Sequence, residues 1–376
     1  MQPIVCLDPG FSARQTTPFG WTEAGRQVTI SDSKALSATL SMLADEAASG
    51  RHVVFTLAFE ACAELMQMPT GFAMRHSAPR LLDAWIFDDP PKPIALEIIQ
   101  QPTSTPVWSN PDYAAYQSAF ATVQRAIAEG VCYQINHTFR LEGTCAGDPW
   151  ELYQWLCGTQ PAQYGGFLQF GSYRVLSRSP ELFLKTEGRS IRSEPMKGTA
   201  ERYADPVADD VSLQSLRQDP KMQAENLMIV DLIRNDLSKV ATPKSVRVPE
   251  LFATRSLKSV HQISSVVDAE LSDGVGLLEL VHALFPCGSV VGAPKAKALE
   301  LIQTLETNAR GLYTGSLGYL QPNGDLTLSV AIRTLELENG RATLGLGSGL
   351  VADSSLEAEW AECLLKGRFA GVHFQP

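Results

Sequence analysis

Short segments with the alternating pattern of β-strands, separated by turn residues, constrain the fold of this chain more than any other feature. In 131–141, Val, Tyr, Ile, His, Phe and Leu occupy alternate positions, which is typical of a strand. Segments 326–337 and 342–346 flank an Asn-Gly dipeptide at 339–340, which favours a two-residue hairpin. The other strands are predicted at 53–59, 166–170, 173–177, 181–185, 189–193, 261–271 and 312–320. The sequence therefore predicts antiparallel pairing.

Helical segments lie between these strands. The first is predicted to begin at Asn110 as N-cap, with Pro111 in its first turn, and to end at Gly130. The other helices are predicted to begin at 148–149 and to cover 220–237, 294–305 and 355–369. Helices and strands are mixed without regular alternation. We therefore predict an α+β fold with large antiparallel sheets packed against outer helices, not a doubly wound parallel sheet.

A proline-rich passage at 90–106 is a plausible connector between two parts of the chain. The part before it contains few clusters of polar residues, whereas the part after it contains nearly all of them. We predict a shortened N-terminal region at 1–105 that packs on the core, and a larger domain at 106–376 that holds the functional site.

Composition excludes several classes of protein. The net charge of −10 disfavours a surface for nucleic acid or for an anionic membrane. No apolar run approaches the ~18 residues of a membrane span, and the N-terminus lacks the features of a signal peptide. The seven cysteines are scattered and contain no CxxC pair, which fits a reducing compartment rather than a disulfide framework or a zinc site. We expect a cytoplasmic protein that binds neither nucleic acid nor membranes.

Lys197 lies in the sequence Pro-Met-Lys-Gly-Thr at 195–199, downstream of a second signature, Arg-Ser-Pro-Glu-Leu-Phe, at 178–183. Proline fixes its own φ and glycine lets the backbone approach a ligand, so this segment is a poor interior for a helix or a strand. It suits an amine that is presented at a fixed point in a cleft. A solvated surface lysine is the alternative for this residue taken alone.

Carboxylates on two predicted helices are candidates for a metal site. Glu225 lies in a strongly apolar helix, while Glu359 and Glu362 lie three residues apart on one face of the C-terminal helix, followed by Lys366. Mg²⁺ typically takes one or two protein carboxylates and leaves positions for substrate oxygens. Solvated surface charge is the alternative, and the choice depends on whether the two helices meet.

Two glycine-rich segments, 287–295 and 345–349, are either anion-binding backbone or tight turns. The first runs into a predicted helix N-terminus at Pro294, where free N–H groups attract anions. Neither segment matches a Walker A loop or a dinucleotide-binding fingerprint. Arg333 lies in an otherwise apolar strand and needs a partner, which would be a substrate carboxylate or an internal salt bridge.

These clusters and their order resemble the chorismate-utilising enzyme family. The resemblance covers roughly residues 110 to 372. The segments that carry it are 133–136, 179–183, 195–199, 224–237, 288–295, 311–315, 331–334, 347–354 and 359–366. The resemblance implies the chorismate-utilising enzyme fold and makes 106–376 the chorismate-binding catalytic domain.

The resemblance also implies a set of ligands and residues. Mg²⁺ would be held by Glu225 and Glu362, with Glu359 acting through water, and would bind the ring carboxylate of chorismate. The second carboxylate would be held by an arginine, a tyrosine and strand backbone, with further residues lining the pocket. The residues implied to bind the substrate are Ser289, Tyr313, Arg333, Gly347, Gly349 and Lys366.

The catalytic residues implied by the resemblance are Lys197, Glu181 and His261. Lys197 would attack C2 of the ring as the C4 hydroxyl departs, and Glu181 would protonate that leaving group. Ammonia would then enter at C4 and expel the lysine. An amine nucleophile must be neutral, so its pKa should be lowered by desolvation or a neighbouring cation. His261 matches an active-site histidine of the family.

Within the family, the lysine at 197 makes this chain resemble the members that make 4-amino-4-deoxychorismate for the p-aminobenzoate branch of folate synthesis. Anthranilate synthase large subunits usually have alanine at this position, and isochorismate synthases have a basic lysine near 133–138, where this chain has none. Both remain alternatives, as does a non-catalytic chorismate-binding subunit. No Cys–His–Glu arrangement of a glutaminase is apparent, so we expect ammonia to come from a separate glutaminase subunit.

The chain departs from the family pattern at two positions of its first glycine-rich segment. Val291 replaces the usual threonine and Cys287 replaces a glycine. The N-terminal part shows no clear match to the family's tryptophan-binding motif, and only 57–61 resembles its conserved strand.

Overall fold

The structure, a computed structural model, describes residues 2–66, 76, 78–256 and 260–374. The strands are β1 (Val5–Leu7), β2 (Phe19–Trp21), β3 (Arg26–Ile30), β4 (His52–Leu57), β5 (Leu82–Phe87), β6 (Lys92–Pro93), β7 (Val107–Trp108), β8 (Gln134–Thr144), β9 (Gly166–Phe170), β10 (Tyr173–Ser177), β11 (Leu182–Glu187), β12 (Ser190–Glu194), β13 (Met196–Glu201), β14 (Arg247–Ser256), β15 (Val260–Glu270), β16 (Gly292–Ala293), β17 (Ser316–Leu320), β18 (Leu326–Val330), β19 (Thr334–Glu338) and β20 (Arg341–Leu350). The α-helices are α1 (Leu36–Ala48), α2 (Cys62–Leu65), α3 (Tyr113–Ala128), α4 (Pro149–Thr159), α5 (Pro206–Gln218), α6 (Pro220–Ser238), α7 (Leu277–Leu284), α8 (Lys295–Leu305) and α9 (Leu356–Gly367).

The described strands form two antiparallel sheets. The first has the order β16-β8-β20-β19-β10-β9-β1-β2-β6, with β7 also paired to β8. The second has the order β13-β15-β12-β11-β18-β17-β4-β5-β3, with β14 also paired to β15. The predicted α+β fold with large antiparallel sheets is confirmed.

The two sheets pack face to face, with helices outside them. Apolar side chains of both sheets, such as Leu168 from β9 and Leu317 from β17, share one buried cluster. A second cluster joins the outer face of the second sheet to α1, α6, α7 and α8. A third joins the outer face of the first sheet to α3, α4 and α9. Within the described residues, no helix is long and apolar enough to cross a bilayer.

N-terminal strands belong to both sheets. In the first sheet, β1 pairs with β9, so Val5 lies opposite Leu168. In the second, β4 pairs with β17, so Leu57 lies opposite Ser316. Residues before 106 therefore build the same two layers as the residues after it.

The hairpin predicted at 339–340 is confirmed. Glu338 of β19 pairs with Arg341 of β20, and the two intervening residues have φ of 51° and 79°. Two positive φ values match the type I′ turn, whose twist suits antiparallel strands.

Three local predictions were wrong. The strand predicted at 326–337 is two strands, β18 in the second sheet and β19 in the first, because the chain crosses between the layers at 331–333. The strand predicted at 312–320 begins only at Ser316. Helix α3 is capped by Asp112 and not by Asn110, since the Asp112 side chain accepts a hydrogen bond from Ala115 N at 2.9 Å.

Candidate active site

Lys197 lies within strand β13 and not in a turn, which corrects the expectation that its flanking residues exclude a strand. β13 pairs with β15, and the pairing register shifts between 197 and 199. Gly198, with φ of 75°, occupies this irregularity, so the glycine provides the backbone conformation that a β-bulge requires. The prediction erred because a strand tolerates such residues at a bulge.

The amine of Lys197 lies beside two backbone segments of the glycine-rich stretches. Its Nζ is 3.4 Å from the carbonyl oxygen of Ser289. A Cβ atom placed on Gly349 of β20 would lie 3.6 Å from the same Nζ. The structure therefore brings together three of the predicted site residues from distant parts of the sequence.

Glu181 is buried immediately before β11 and faces the same space. Its Oε1 accepts a hydrogen bond of 2.7 Å from the Ser289 hydroxyl. Burial raises the pKa of Glu181 to about 7, although the Ser289 hydrogen bond and the nearby cations of Lys197 and Lys366 act to lower it. A carboxyl group with such a pKa can donate a proton near neutral pH, which is the property of a general acid.

Helices α6 and α9 approach each other, since Lys221 Nζ of α6 lies 4.0 Å from Glu359 Oε1 of α9. Burial raises the pKa of Glu225, and the charges of Glu359 and Glu362 raise it further, whereas Lys197 and Lys221 oppose the shift. This mutual repulsion is a sign of three carboxylates that share one region of the site.

The cations around these carboxylates hold them in place. Lys366 Nζ lies 2.6 Å from Glu362 Oε1, and this ion pair lowers the pKa of Glu362 although burial acts to raise it. The Ser354 hydroxyl donates to Glu359 Oε1 at 2.6 Å. Each of the two carboxylates on α9 therefore already has a partner from this chain.

A magnesium ion fits this donor set only in part. Among the residues that the structure describes, no group of three or more His, Cys, Asp or Glu side chains is placed to hold a metal ion. Glu225 and Glu362 nevertheless supply hard oxygen donors, and Mg²⁺ commonly takes one or two protein carboxylates and fills its remaining positions with water and substrate. A cation between these helices would also relieve the repulsion at Glu225.

Arg333 lies at the crossing between the two sheets, with φ of 52°. Its guanidinium stands 5.8 Å from the ring centre of Phe369, and its Nη1 donates to the carbonyl oxygen of Lys366. In the described parts of the chain, no carboxylate lies within 4.0 Å of it, in contrast to the internal salt bridge that the sequence left open. Burial lowers the pKa of Arg333 to about 10, with Tyr313 and Glu362 acting the other way. Apart from its bond to Lys366, the guanidinium could therefore bind an incoming carboxylate.

Tyr313 and the glycines of β20 fit closely together. A Cβ atom on Gly345 would lie 2.0 Å from Cγ of the buried Tyr313 ring, so only glycine is accommodated there. Gly347 would bring a Cβ atom to 2.6 Å from the carbonyl oxygen of His137, and its own carbonyl accepts a hydrogen bond of 2.9 Å from Lys366 Nζ. These glycines lie in an extended strand, in contrast to the tight turns that the sequence left as one interpretation.

Next to the site, β20 continues beyond the end of its pairing with β19. β19 pairs only with 341–344 of β20, whereas β8 follows β20 to Leu350. The backbone of 345–349 is therefore positioned to offer N–H groups to a ligand, as the anion-binding interpretation requires.

The glycine-rich segment 287–295 contains strand β16, runs into α8 and is closely packed. Lys295 Nζ donates to Asp236 Oδ2 at 2.6 Å and to the carbonyl oxygens of Leu284 and Pro286. A Cβ atom on Gly292 would lie 2.2 Å from the carbonyl oxygen of Gln134. The lysine is thus committed to internal partners, and close packing explains the glycine.

Within the described residues, His261 makes no hydrogen bond or ion pair with Lys197 or Glu181. Its ring is buried between β15 and α5, where Nε2 lies 3.0 Å from Asp209 Oδ1 and Nδ1 lies 2.9 Å from the Ser256 hydroxyl. Both ring nitrogens are therefore engaged away from Lys197 and Glu181.

Sequence reasoning missed Gln134. Its side chain is buried, and neither amide atom has a hydrogen-bond partner within the part of the chain described. The amide nitrogen would lie 2.6 Å from a Cβ atom on Gly349, which places it in the candidate site. The alternating pattern of 131–141 drew attention to the apolar face of the strand, while Gln134 belongs to its other face. The feature that marks Gln134 is a polar side chain in a buried strand, and burial is not visible in the sequence.

The chain is similar to known proteins in sequence and in fold. A family model described as chorismate binding enzyme matches residues 74–370. Aminodeoxychorismate synthase component 1 of Salmonella typhimurium is 41% identical over 267 residues, which are 69% of this chain and 59% of that protein. Its Escherichia coli counterpart is 40% identical over 69% of this chain and 58% of its own length. Anthranilate synthase component 1 of Streptomyces coelicolor is 38% identical over 68% of this chain and 50% of its own length. The matches therefore span less than two thirds of these relatives.

Solved structures share the fold. An isochorismate synthase from Bacillus anthracis has a TM-score of 0.77 at 23% identity, over 98% of this chain and 95% of its own. Anthranilate synthase component I from Streptococcus pneumoniae also has a TM-score of 0.77, at 22% identity, over 98% and 91% of the two chains. The chain belongs to the chorismate binding enzyme family.

Proposed function

We propose that this chain converts chorismate and ammonia into 4-amino-4-deoxychorismate through a covalent intermediate on Lys197. The observation that carries the proposal is the arrangement of an amine and a carboxyl group on either side of Ser289. The Lys197 amine lies 3.4 Å from the Ser289 carbonyl, and Glu181 lies 2.7 Å from the Ser289 hydroxyl. Relatives named aminodeoxychorismate synthase component 1 support the same reaction.

Chorismate carries two carboxylates, and the site offers separate cationic positions for them. Arg333 and the backbone of 345–349 would hold one carboxylate, with Tyr313 packed beneath that strand. The region between α6 and α9 would receive the other, where Mg²⁺ held by Glu225 and Glu362 would neutralise charge and orient the ring. Two anchored ends fix the ring in one orientation, which is the main requirement for attack at a chosen carbon.

The chemical sequence uses one nucleophile and one acid. The neutral amine of Lys197 forms a bond to C2 while the ring double bonds shift and the C4–O bond breaks. Glu181 gives its proton to the departing hydroxyl, which leaves as water. Ammonia then forms a bond to C4, the double bonds shift back, and the C2–N bond to Lys197 breaks. A proton released by the new C4 amine restores Glu181.

Other reactions of the same scaffold are less consistent with the residues present. Isochorismate formation adds water at C2 and requires a base to activate it, but the buried side chain at 134 is an amide that accepts no proton. Anthranilate formation adds ammonia at C2, which an amine of Lys197 at that carbon would block. A subunit that only binds chorismate would need neither a nucleophile nor an acid.

The source of ammonia completes the proposal. At neutral pH the conjugate acid predominates, so free ammonia is scarce. A separate glutaminase subunit in the cytoplasm would deliver it, and the product would enter p-aminobenzoate and folate synthesis. The relatives are named component 1, which is consistent with a second component.

A single-turnover and product analysis tests the function. The purified chain, incubated with chorismate, Mg²⁺ and ammonium, is expected to form 4-amino-4-deoxychorismate, identified by mass spectrometry. Lys197→Ala is expected to lose this product by at least about a hundredfold, because covalent catalysis is removed. Lys185→Ala, which removes a lysine from strand β11 of the same sheet, serves as the matched control and should behave as wild type. Wild-type rates in the Lys197→Ala variant would exclude covalent catalysis by this residue.

A further inference from the structure

A series of hydrogen bonds links Glu181, Ser289 and Cys287. The Ser289 hydroxyl donates to Glu181 Oε1 at 2.7 Å, and the thiol of Cys287 lies 3.2 Å from the Ser289 oxygen. All three side chains are more than nine-tenths buried, with exposed fractions of 4%, 5% and 3% for 181, 289 and 287. The backbone between residues 287 and 289 packs closely against α6, because a Cβ atom on Gly288 would meet a side-chain carbon of Leu232 at 2.0 Å.

The direction of these bonds follows from the number of hydrogens. The Ser289 hydroxyl has one hydrogen, and a Glu181 carboxylate can only accept, so the hydroxyl donates to the carboxylate. The thiol of Cys287 must then donate to the Ser289 oxygen. Burial, together with the Glu181 charge, raises the pKa of Cys287 to about 12, so the thiol keeps its hydrogen at neutral pH.

The same series of hydrogen bonds can also form when Glu181 is protonated. When Glu181 carries a proton, its O–H can donate to the Ser289 oxygen, and the Ser289 hydroxyl can turn to the sulfur. In the protonated form, the Ser289 hydroxyl would donate to sulfur, which is a weak acceptor. In the carboxylate form, the thiol donates to the Ser289 oxygen and the Ser289 hydroxyl donates to the carboxylate. The arrangement therefore favours the carboxylate over the protonated form.

We propose that Cys287 is a positioning residue that orients the Ser289 hydroxyl toward Glu181 and thereby sets the proton affinity of the general acid. The proposal rests on the acid role of Glu181 in the proposed function. Two cations also face Glu181, Lys197 from β13 and Lys366 from α9, and both favour its carboxylate form. The thiol adds to their effect through its hydrogen bond to Ser289.

Removal of the thiol has a defined consequence for the pH dependence. Without Cys287 the Ser289 hydroxyl loses its donor and its fixed orientation, so it stabilises the carboxylate less well. Glu181 then keeps its proton to higher pH. Because a general acid works in its protonated form, the falling limb of kcat on the alkaline side moves upward. We expect about half a pH unit for Cys287→Ala, and about one unit for Ser289→Ala, which removes the direct bond.

The experiment measures kcat between pH 5.5 and 9 for the wild type, Cys287→Ala, Cys287→Ser and Ser289→Ala, at saturating chorismate and Mg²⁺. The concentration of free ammonia is held constant, so that its own ionisation does not shape the curve. Cys287→Ser keeps a donor and is expected to lie closer to wild type than Cys287→Ala. Cys157→Ala removes another buried thiol, on α4, and is the control that should leave the limb unmoved.

The outcomes separate this inference from the proposed function. If the alkaline limb of kcat moves in Ser289→Ala but stays at the wild-type position in Cys287→Ala, only the proposed role of Cys287 is overturned. An equal loss of kcat at every pH in Cys287→Ala, with no movement of the limb, also overturns it, since that would be a packing defect. If Glu181→Gln retains the wild-type limb, the acid role of Glu181 fails and the inference fails with it.

Discussion

Arg310 and Glu306 form a buried ion pair in which the guanidinium nitrogen lies 2.7 Å from the carboxylate oxygen. The same guanidinium donates to the carbonyl oxygens of Val290 and Asn136 and to the hydroxyl of Thr314. Val290 and Thr314 adjoin Ser289 and Tyr313, and Asn136 lies two residues after Gln134 on β8. One side chain thus ties together three segments that line the candidate site.

This pair predicts a large effect on stability. Arg310→Ala would leave a buried carboxylate at Glu306 without its cation, which typically costs about 3–5 kcal/mol in the free energy of unfolding. Arg234→Ala removes an exposed pair with Asp231, at 2.7 Å, and should cost about 1 kcal/mol or less. Urea denaturation of the two variants measures the difference. Equal losses in both would show that the buried pair has no special structural role.

The raised pKa of Glu181 predicts a pH-dependent stability. Its pKa is about 7 in the folded protein against an ordinary value of 4.5, so the folded state binds the proton more tightly than the unfolded chain. The resulting contribution is complete below about pH 4.5 and is lost as the pH rises through 7, by roughly 3–4 kcal/mol in all. Glu181→Gln cannot ionise and should remove this part of the decline.

Denaturation at pH 5 and pH 8 tests this sign. The stability difference between the two pH values should be smaller in Glu181→Gln than in wild type, while Glu187→Gln, an exposed glutamate of β11, should match wild type. Burial also raises the pKa of Glu60 to about 7, and this group contributes equally to both proteins. A steeper decline in Glu181→Gln would contradict the assignment.

Magnesium dependence is predicted for the carboxylates of α6 and α9. Glu225→Gln and Glu362→Gln should each weaken Mg²⁺-dependent binding of chorismate by at least about tenfold, because a metal ligand is lost. The melting temperature should change little. Glu357→Gln, an exposed neighbour on α9, is the matched control. Titration of Mg²⁺ by calorimetry in the presence of chorismate measures the effect, and full activity after exhaustive chelation would rule the metal out.

The nitrogen source provides a test that needs no substitution. The purified chain should form product with ammonium salt and not with glutamine. Addition of a glutaminase component should make glutamine effective, because the ammonia then reaches the site before it is protonated in solution. Product from glutamine with this chain alone would refute the two-subunit arrangement.

Several features of the fold were predictable from the sequence because they depend on neighbouring residues. The strands at 166–170 and 173–177 and the Asn-Gly hairpin at 339–340 have the predicted bounds. Alternation and turn chemistry act over a few positions, so the sequence displays them directly. The strand predicted at 326–337 failed because side chains alternate in the same way in either sheet, and alternation does not reveal where a chain leaves one sheet for the other.

The sequence by itself determined which chemical groups are present, including the amine of Lys197, the carboxyl of Glu181 and the guanidinium of Arg333. Tertiary structure alone decided which of them meet. Glu181 and Ser289 are 108 positions apart, yet they share a hydrogen bond of 2.7 Å. Burial is also a property of the folded chain: it raises the pKa of Glu181, and it encloses the amide of Gln134, which has no hydrogen-bond partner among the residues described. Desolvation depends on every element packed around a group, and no local pattern in the sequence contains that information.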